Sequence, residues 1–469
     1  MRAARELVGR ARRAPSMTPT ARAGFDTASY NNIYLSTGSV TIDLATGTAT
    51  GDASIGTDTL RSIEAIQGTN LADIYVATGY GFAGALNVGN NGTFNQFEGL
   101  GGDDAITGNG NTRLSYTNAT GPVTITFGLN SWTSTTSGAS GTVTGNGSVG
   151  TDTFAGVGSV SGSSFADTIT GSNNPNGTAE DFAGRGGNDV IDGKTGFDRA
   201  YYNNDGAASG IQVDMASGVV TGDASIGTDT LLSIEAVRGT NFDDTYVATN
   251  FGTSGANAGD FGTLNEFEGM DGNDAITGNG NTRIAFYNAL DGVTVDLNAG
   301  NAHGTASGDL AGTGTDSFAG VNAVRGSAFA DLVFGDAGIN TLDGQAGNDV
   351  IQGRGGADTL IGGAGADQFV FATVADSTIA NHDTITDFVH GADTIDTSAI
   401  AGVTSVQGLL SGSAQVDAHS IGWLQSGANT IVYVNSSTTA QNQGAADMEI
   451  VLTNVTANTL TSQDFLLHI

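Results

Sequence analysis

The chain contains no cysteine, so it can form neither a disulfide framework nor a thiolate metal site. Only 4 of its 469 residues are proline, and its glycines show no three-residue period, which excludes a collagen-like helix. Bases are scarce: 15 Lys and Arg stand against 48 acids, for a formal net charge of −33. A surface of that sign repels phosphate backbones, so nucleic acid is excluded as a partner. No apolar run approaches the ~20 residues of a membrane helix, and no transmembrane segment is expected. Histidine is limited to His303, His382, His390, His419 and His468, and no two stand at the H-E-x-x-H spacing of a zinc peptidase. No G-x-S-x-G nucleophile elbow occurs. GNGSVG (145–150) matches G-x-G-x-x-G but lies in a Gly/Ser/Thr-rich β stretch, and reads as a loop. GNDVIDGKT (187–195) has five residues between its glycines where a phosphate loop needs four. No catalytic constellation emerges, and the protein is expected not to be an enzyme.

Glycine and aspartate are abundant. Glycine fills 73 positions, and 40 of the 48 acids are Asp, against 8 Glu. Asp suits tight turns, because its short side chain bonds local backbone or holds a cation there. Residues 1–23 differ from the rest, with six Arg and one Glu. They lack the apolar core of a signal peptide. We read them as a disordered basic stretch or the product of an early start codon, Met17 being an alternative.

Self-similarity organises the remainder. TGDASIGTDTLRSIEAIQGTNLADIYVAT (50–78) recurs as TGDASIGTDTLLSIEAVRGTNFDDTYVAT (221–249), with 23 of 29 positions identical. FEGLGGDDAITGNGNTR (97–113) returns as FEGMDGNDAITGNGNTR (267–283). Each long copy has two halves, since GTDTFAGVGSVSGSSFADTITG (150–171) and GTDSFAGVNAVRGSAFADLVFG (314–335) share one frame. Tandem copies of this kind mark a stack in which each unit buries its apolar side against its neighbours.

A nine-residue period lies inside the units. From Gly326 the chain divides into GSAFADLVF, GDAGINTLD, GQAGNDVIQ, GRGGADTLI and GGAGADQFV. Position six holds Asp331, Asn340, Asp349, Asp358 and Asp367; position eight holds Val333, Leu342, Ile351, Leu360 and Phe369. The last three residues predict a short strand with position eight pointing inward. The first six predict a turn, in which glycines permit positive φ and leave carbonyls open: Gly335, Gly344, Gly347, Gly353, Gly355, Gly356, Gly362, Gly363 and Gly365. Two nonapeptides make one coil, which places Asp331, Asp349 and Asp367 in one column and Asn340 and Asp358 in the other. Coils stack ~4.8 Å apart, where two carboxylates repel by ~1 kcal/mol in water and by more in a drier turn. Such a column calls for a cation, and calcium accepts carboxylates plus carbonyls in flexible geometry. Similar turns occur earlier, at Asp73, Asp104, Asp167, Asp189, Asp198, Asp244 and Asp274. GNGNTRLSY and GNGNTRIAF instead put Arg113 and Arg283 at position six, where a fixed positive charge is expected to replace the cation. The alternating strands VTIDLATG, IQVDMASG and VTVDLNAG are expected to form extra coils.

The pattern G-G-x-G-x-D-x-U-x resembles the RTX, or haemolysin-type, calcium-binding repeat family. The resemblance implies a parallel β-roll with several calcium ions between turns, export by type I secretion machinery, and folding outside the cell. After Phe371 the beat stops. ADQFVFATVADSTIANHDTITDFVHGADTIDTSAI and ADMEIVLTNVTANTLTSQDFLLHI resemble the C-terminal region of serralysin-type metallopeptidases, which implies a capping β domain bearing a secretion signal. A cap also covers the unpaired edges at a solenoid's end.

The expected fold is therefore all-β, a parallel β-roll or solenoid with a C-terminal β cap. Its parts are the basic stretch 1–23, a first long repeat of two units (24–200), a second long repeat (201–325), the tandem roll (326–370) and the cap with secretion region (371–469). The expected function is that of a secreted bacterial calcium-binding protein with a structural, adhesive or surface-layer role, whose partners are cell-surface or matrix components. A competing expectation is the non-catalytic rear of an exported hydrolase such as a serralysin-type metallopeptidase. A third is a calcium-rigidified face for ice or glycans, suggested by the many Thr, although these form no single regular ladder.

Overall fold

A computed structural model describes residues 6–8, 24–31, 36–134, 136–174, 178–203, 206–304 and 311–468. Of the stretch 1–23, only Glu6–Val8 is described; it is a strand paired with Thr27–Ser29, and the remainder lies outside the described residues. The described residues form 38 strands and three short 3₁₀ turns, with no α-helix, so none holds a helix long and apolar enough to cross a membrane. The fold is all-β, with parallel pairing between coils throughout.

The chain divides into two units, Met1–Arg238 with Asn250–Thr263, and Gly239–Thr249 with Leu264–Ile469. The 18-residue coil is plainest in the second unit. Leu332–Phe334, Val350–Gln352, Gln368–Val370 and Thr394–Asp396 pair in parallel succession, which stacks Val333, Ile351, Phe369 and Ile395 in register. The opposite side stacks Val324, Leu342, Leu360 and Ile385. Nearly all of these side chains are completely buried. Position eight thus builds a continuous apolar ladder, and each rung buries its face only on the rungs above and below.

The first unit follows the same rule with longer coils. Ile66, Phe97, Leu114, Val160, Phe182, Ala200 and Val237 form one run of register partners. Ile125, Ile169, Ile191 and Leu231 form another.

The segments expected to be extra coils are β-hairpins instead. Val40–Asp43 pairs parallel with Ile74–Val76, but the chain then reverses and Thr48–Gly51 returns antiparallel. Gln212–Asp214 and Val219–Thr221, and Val293–Asp296 and Asn301–Gly304, repeat this reversal. Glycine at the turn explains it: Gly47, Gly218 and Gly300 share φ near +67° to +69°, a left-handed conformation that closes a short hairpin.

Beyond the roll, Ser420–Ser426 and Asn429–Asn435 form an antiparallel hairpin. Met448–Leu452 joins that hairpin to the ladder strand Asp383–Ile385. Trp423 stacks on Phe465 at 5.2 Å and donates its indole N–H to Ala457 O at 2.8 Å, so the roll's last strands are paired and covered.

Candidate metal centre

Each turn aspartate binds the next through the backbone. In the tandem roll the N–H of Asp331 donates to Asp349 Oδ1 at 2.8 Å, that of Asp349 to Asp367 Oδ1 at 2.9 Å, and that of Asp367 to Asp393 Oδ1 at 3.0 Å. On the other side Asn340 donates to Asp358 Oδ1 at 2.8 Å, and Asp358 to Asp383 Oδ1 at 2.9 Å. Shorter ladders of the same kind link Asp73, Asp104 and Asp152; Asp167, Asp189 and Asp229; and Asp244, Asp274 and Asp316.

The carboxylates fall into two classes according to the second oxygen. In Asp73, Asp167 and Asp331 it accepts an N–H from position two of the same turn, at 2.6 Å from Thr69, Ser163 and Ser327. Thr240 serves Asp244 likewise at 2.7 Å. The hydroxyls of these four residues donate to the first oxygen at 2.7 to 2.9 Å. Such turns close on themselves with protein donors alone. Asn340 is similar, its carboxamide oxygen accepting the Asp336 N–H at 2.8 Å.

In Asp104, Asp189, Asp274, Asp349, Asp358, Asp367 and Asp383 the second oxygen is buried without a hydrogen-bond partner. Each of these residues is exposed by 2% or less. Both oxygens of Asp198 are equally unpartnered. A buried charged oxygen left unsatisfied costs at least about 1–3 kcal/mol, so these are the atoms that could hold an external positive ligand.

The position-one glycines hold that space open. A Cβ on Gly344 would lie 2.3 Å from Asp349 Oδ2 and 2.9 Å from Gly362 O; on Gly353 it would lie 2.4 Å from Asp358 Oδ2, and on Gly362 2.4 Å from Asp367 Oδ2. Gly335 faces Asn340 Oδ1 and Gly353 O, each at 2.4 Å from such a Cβ. Gly347, Gly356, Gly363 and Gly365 adopt positive φ where neighbouring carbonyls crowd them, whereas Gly355 has no atom nearer than 3.9 Å to such a Cβ. Among the described residues no three His, Cys, Asp or Glu side chains converge on one point. The donor set is instead paired carboxylates plus turn carbonyls, all oxygen, which fits calcium and offers nothing to softer metals.

Burial and like charge displace the open carboxylates. Asp104 and Asp189 are pushed up to about 8 and Asp274 to about 9, by burial first and then by Asp152, Asp229 and Asp316 respectively. Asp349 and Asp358 rise to about 7, and Asp383 to about 8, again chiefly through burial. Asp198 rises to about 10, buried beside Glu180 and Glu235.

Sequence reasoning passed over several members. Asp152, Asp229 and Asp316 belong to the recurring GTDT or GTDS tetrapeptide, which repeats at 56, 150, 227 and 314 and was the available signal. Tyr116 donates to Asp152 Oδ2 at 3.0 Å. Asp383 and Asp393 lie past the nine-residue beat, and Glu235, which accepts the Asp198 N–H at 2.8 Å, is a Glu where an Asp was sought. Arg113 and Arg283 do not occupy cation turns. Both lie in 11-residue strands, where Arg113 donates to Gln96 and Arg283 to Glu266, because GNGN bulges out of the ladder, with Gly110 and Gly280 at positive φ, and the strand resumes at Thr112 and Thr282.

A family model described as the RTX calcium-binding nonapeptide repeat matches in four copies, over residues 182–201 and 334–369. These are RTX repeats. The matched stretches hold Asp189, Asp198, Asn340, Asp349, Asp358 and Asp367, so calcium is the metal implied for this part of the chain. No curated protein matches the chain. Among solved structures, the R3 subunit of the AlgE6 mannuronan C5-epimerase from Azotobacter vinelandii is 28% identical, covering 30% of this chain and 79% of that one, with a TM-score of 0.20. The R2 subunit is 20% identical over 50% of this chain and 92% of that one, also at 0.20. The extracellular lipase LipA from Serratia marcescens is 12% identical over 62% of this chain and 42% of that one, at 0.16.

Proposed function

We propose that this calcium-binding RTX repeat protein is exported unfolded and folds outside the cell as calcium fills the open aspartate turns. Asp104, Asp189, Asp274, Asp349, Asp358, Asp367 and Asp383 would supply carboxylate ligands, with turn carbonyls completing each shell. The observation that carries this reading is the set of buried carboxylate oxygens with no protein donor. Calcium binding energy is then folding energy. At low calcium a chain of net charge −33 repels itself, which suits passage through type I secretion machinery. The region 371–469 would be a serralysin-like cap and secretion segment. The role would be non-enzymatic: structural, adhesive or surface-layer, toward cell-surface or matrix components.

Far-UV circular dichroism, titrated with calcium from a chelated start, tests this. A coil-to-β transition in the ~10⁻⁴–10⁻³ M range of extracellular modules, not reproduced by magnesium, is the expected result. A β spectrum already complete in chelator would overturn calcium-gated folding.

A further inference from the structure

Threonines that form no single ladder along the sequence meet across one face of the first unit. Thr124–Phe127 and Ala139–Thr144 make a hairpin inserted between two ladder strands, Thr151–Ser161 and Thr168–Thr170. Where these four strands lie side by side, both outward positions on each are threonine. Thr153 pairs with Thr142, Thr142 with Thr126, and Thr126 with Thr170. Thr151 pairs with Thr144, Thr144 with Thr124, and Thr124 with Thr168. Seven of the eight are exposed and Thr170 is half-buried. The alternate side chains Ile125, Val143, Phe154 and Ile169 are buried and fix the grid from beneath. Among the described residues only the Thr153 hydroxyl has a protein partner, Asp104 O at 3.5 Å.

The first of these columns runs on from Thr153 through Ala105 and Ile74 to Thr41, Thr50 and Thr57. Nine successive strands thus present no charged side chain along it, in a chain of net charge −33. Strand propensity favours Thr on any exposed strand, but the opposite side of the same coils does not follow it. There the outward column reads Gln96, Arg113, Ser159, Asp181 and Arg199.

We propose that this threonine face binds ice. A β-branched side chain is stiff at χ1, so each Thr holds one hydroxyl and one methyl in a fixed direction. The hydroxyls repeat at ~4.8 Å across the strands and ~6.6 Å along them. Each can donate to and accept from water, and no charge competes with a hydration shell of its own. Water on such a net is ordered in two dimensions, and the partner that gains from that order is itself a lattice of water. A crystalline polysaccharide is also periodic, but its ring faces stack on aromatic side chains, and the grid has none. A second protein would need ~800 Å² of contact, whereas the grid spans only ~14 Å by ~7 Å between Cα positions.

The test is partitioning of the full chain, in calcium, into ice grown slowly from solution. The parent is expected to enter the ice. Thr142→Tyr keeps strand propensity but raises a ring above the middle of the grid, and Thr126→Lys places a hydrated charge there; both are expected to lose uptake. Ser159→Tyr, on the opposite side, is expected to enter as the parent does. Unchanged circular dichroism in calcium shows that a variant folds, and the parent's own uptake needs no variant. Exclusion of the parent from ice overturns the proposal, as does full uptake of both grid variants or equal loss in Ser159→Tyr. Retention on microcrystalline cellulose or chitin without ice uptake also overturns it and gives the face to a polysaccharide lattice. The proposal does not depend on calcium-gated folding, since a chain already β in chelator would carry the same face.

Discussion

At the residue scale, the distinction that matters is between an aspartate satisfied by its own turn and one that is not. Asp331 has Ser327 to close it, while Asp349 one coil later leaves an oxygen without a donor. The two positions carry opposite expectations. Asp349→Asn removes a buried carboxylate oxygen that the proposed calcium site uses, so it should lower calcium affinity about tenfold or more. Ser327→Ala removes a charge-assisted hydrogen bond of about 1.5–3 kcal/mol, so it should lower stability with calcium stoichiometry unchanged. Calcium titration by calorimetry, paired with urea melts in saturating calcium, checks both. Equal calcium stoichiometry and affinity in Asp349→Asn and the parent would dispose of the distinction. The signal for it is present in the sequence, as Ser or Thr at position two against glycine at position four. It goes unread because the candidate ligands are taken from position six without regard to position two.

At the scale of one turn and its strand, glycine divides in the same way. A Cβ on Gly363, at φ +92°, would meet Gln345 O at 1.9 Å, whereas one on Gly355 meets nothing nearer than 3.9 Å. Gly363→Ala should therefore cost about 3 kcal/mol or more and Gly355→Ala no more than about 1 kcal/mol, as read from urea midpoints in saturating calcium. Comparable losses would show that the crowding is relieved by small backbone shifts. Strands such as Val350–Gln352 and Thr359–Ile361 were legible because one apolar side chain recurs at a fixed offset and the parallel register follows from it. The hairpin at Val40–Asp43 and Thr48–Gly51 was not. Its alternation is that of any half-buried strand, and only the turn glycine, Gly47, distinguishes a reversal from another coil. Arg113 misled for a related reason: GNGNTR has the glycines of a turn, but hydrogen bonds between Asn109 and Thr112 close it as a bulge inside one strand, so Arg113 falls on the resumed strand.

At the scale of the whole molecule, the raised carboxylates tie folding to pH. Asp104, Asp189, Asp274, Asp349, Asp358 and Asp383 all stand between about 7 and 9 when folded, against an ordinary 3.8. A folded value above the unfolded one means the folded chain binds more protons. The stabilising contribution is complete below about pH 4 and disappears as pH rises through 7 to 9. Protons should thus stand in for calcium. In chelator the protein is expected to be more resistant to urea at pH 5 than at pH 8.5, and saturating calcium should remove most of that difference. Urea melts at the two pH values, with and without calcium, check it, and a chelated protein more stable at pH 8.5 would contradict it.

The order of closed and open turns along each ladder also governs how the sites communicate. Asp104, Asp189 and Asp274 each sit between a self-closed neighbour and an aspartate of the GTDT kind, so each is a compartment of its own. Asp349 and Asp367 share one uninterrupted column running to Asp393. An ion arriving in that column would change the field felt by the next, while ions in separate ladders would not share a column. With calcium in the open turns as proposed, the protein would be wired partly in series and partly in parallel, its tandem roll responding as a switch and its long repeats as separate buffers.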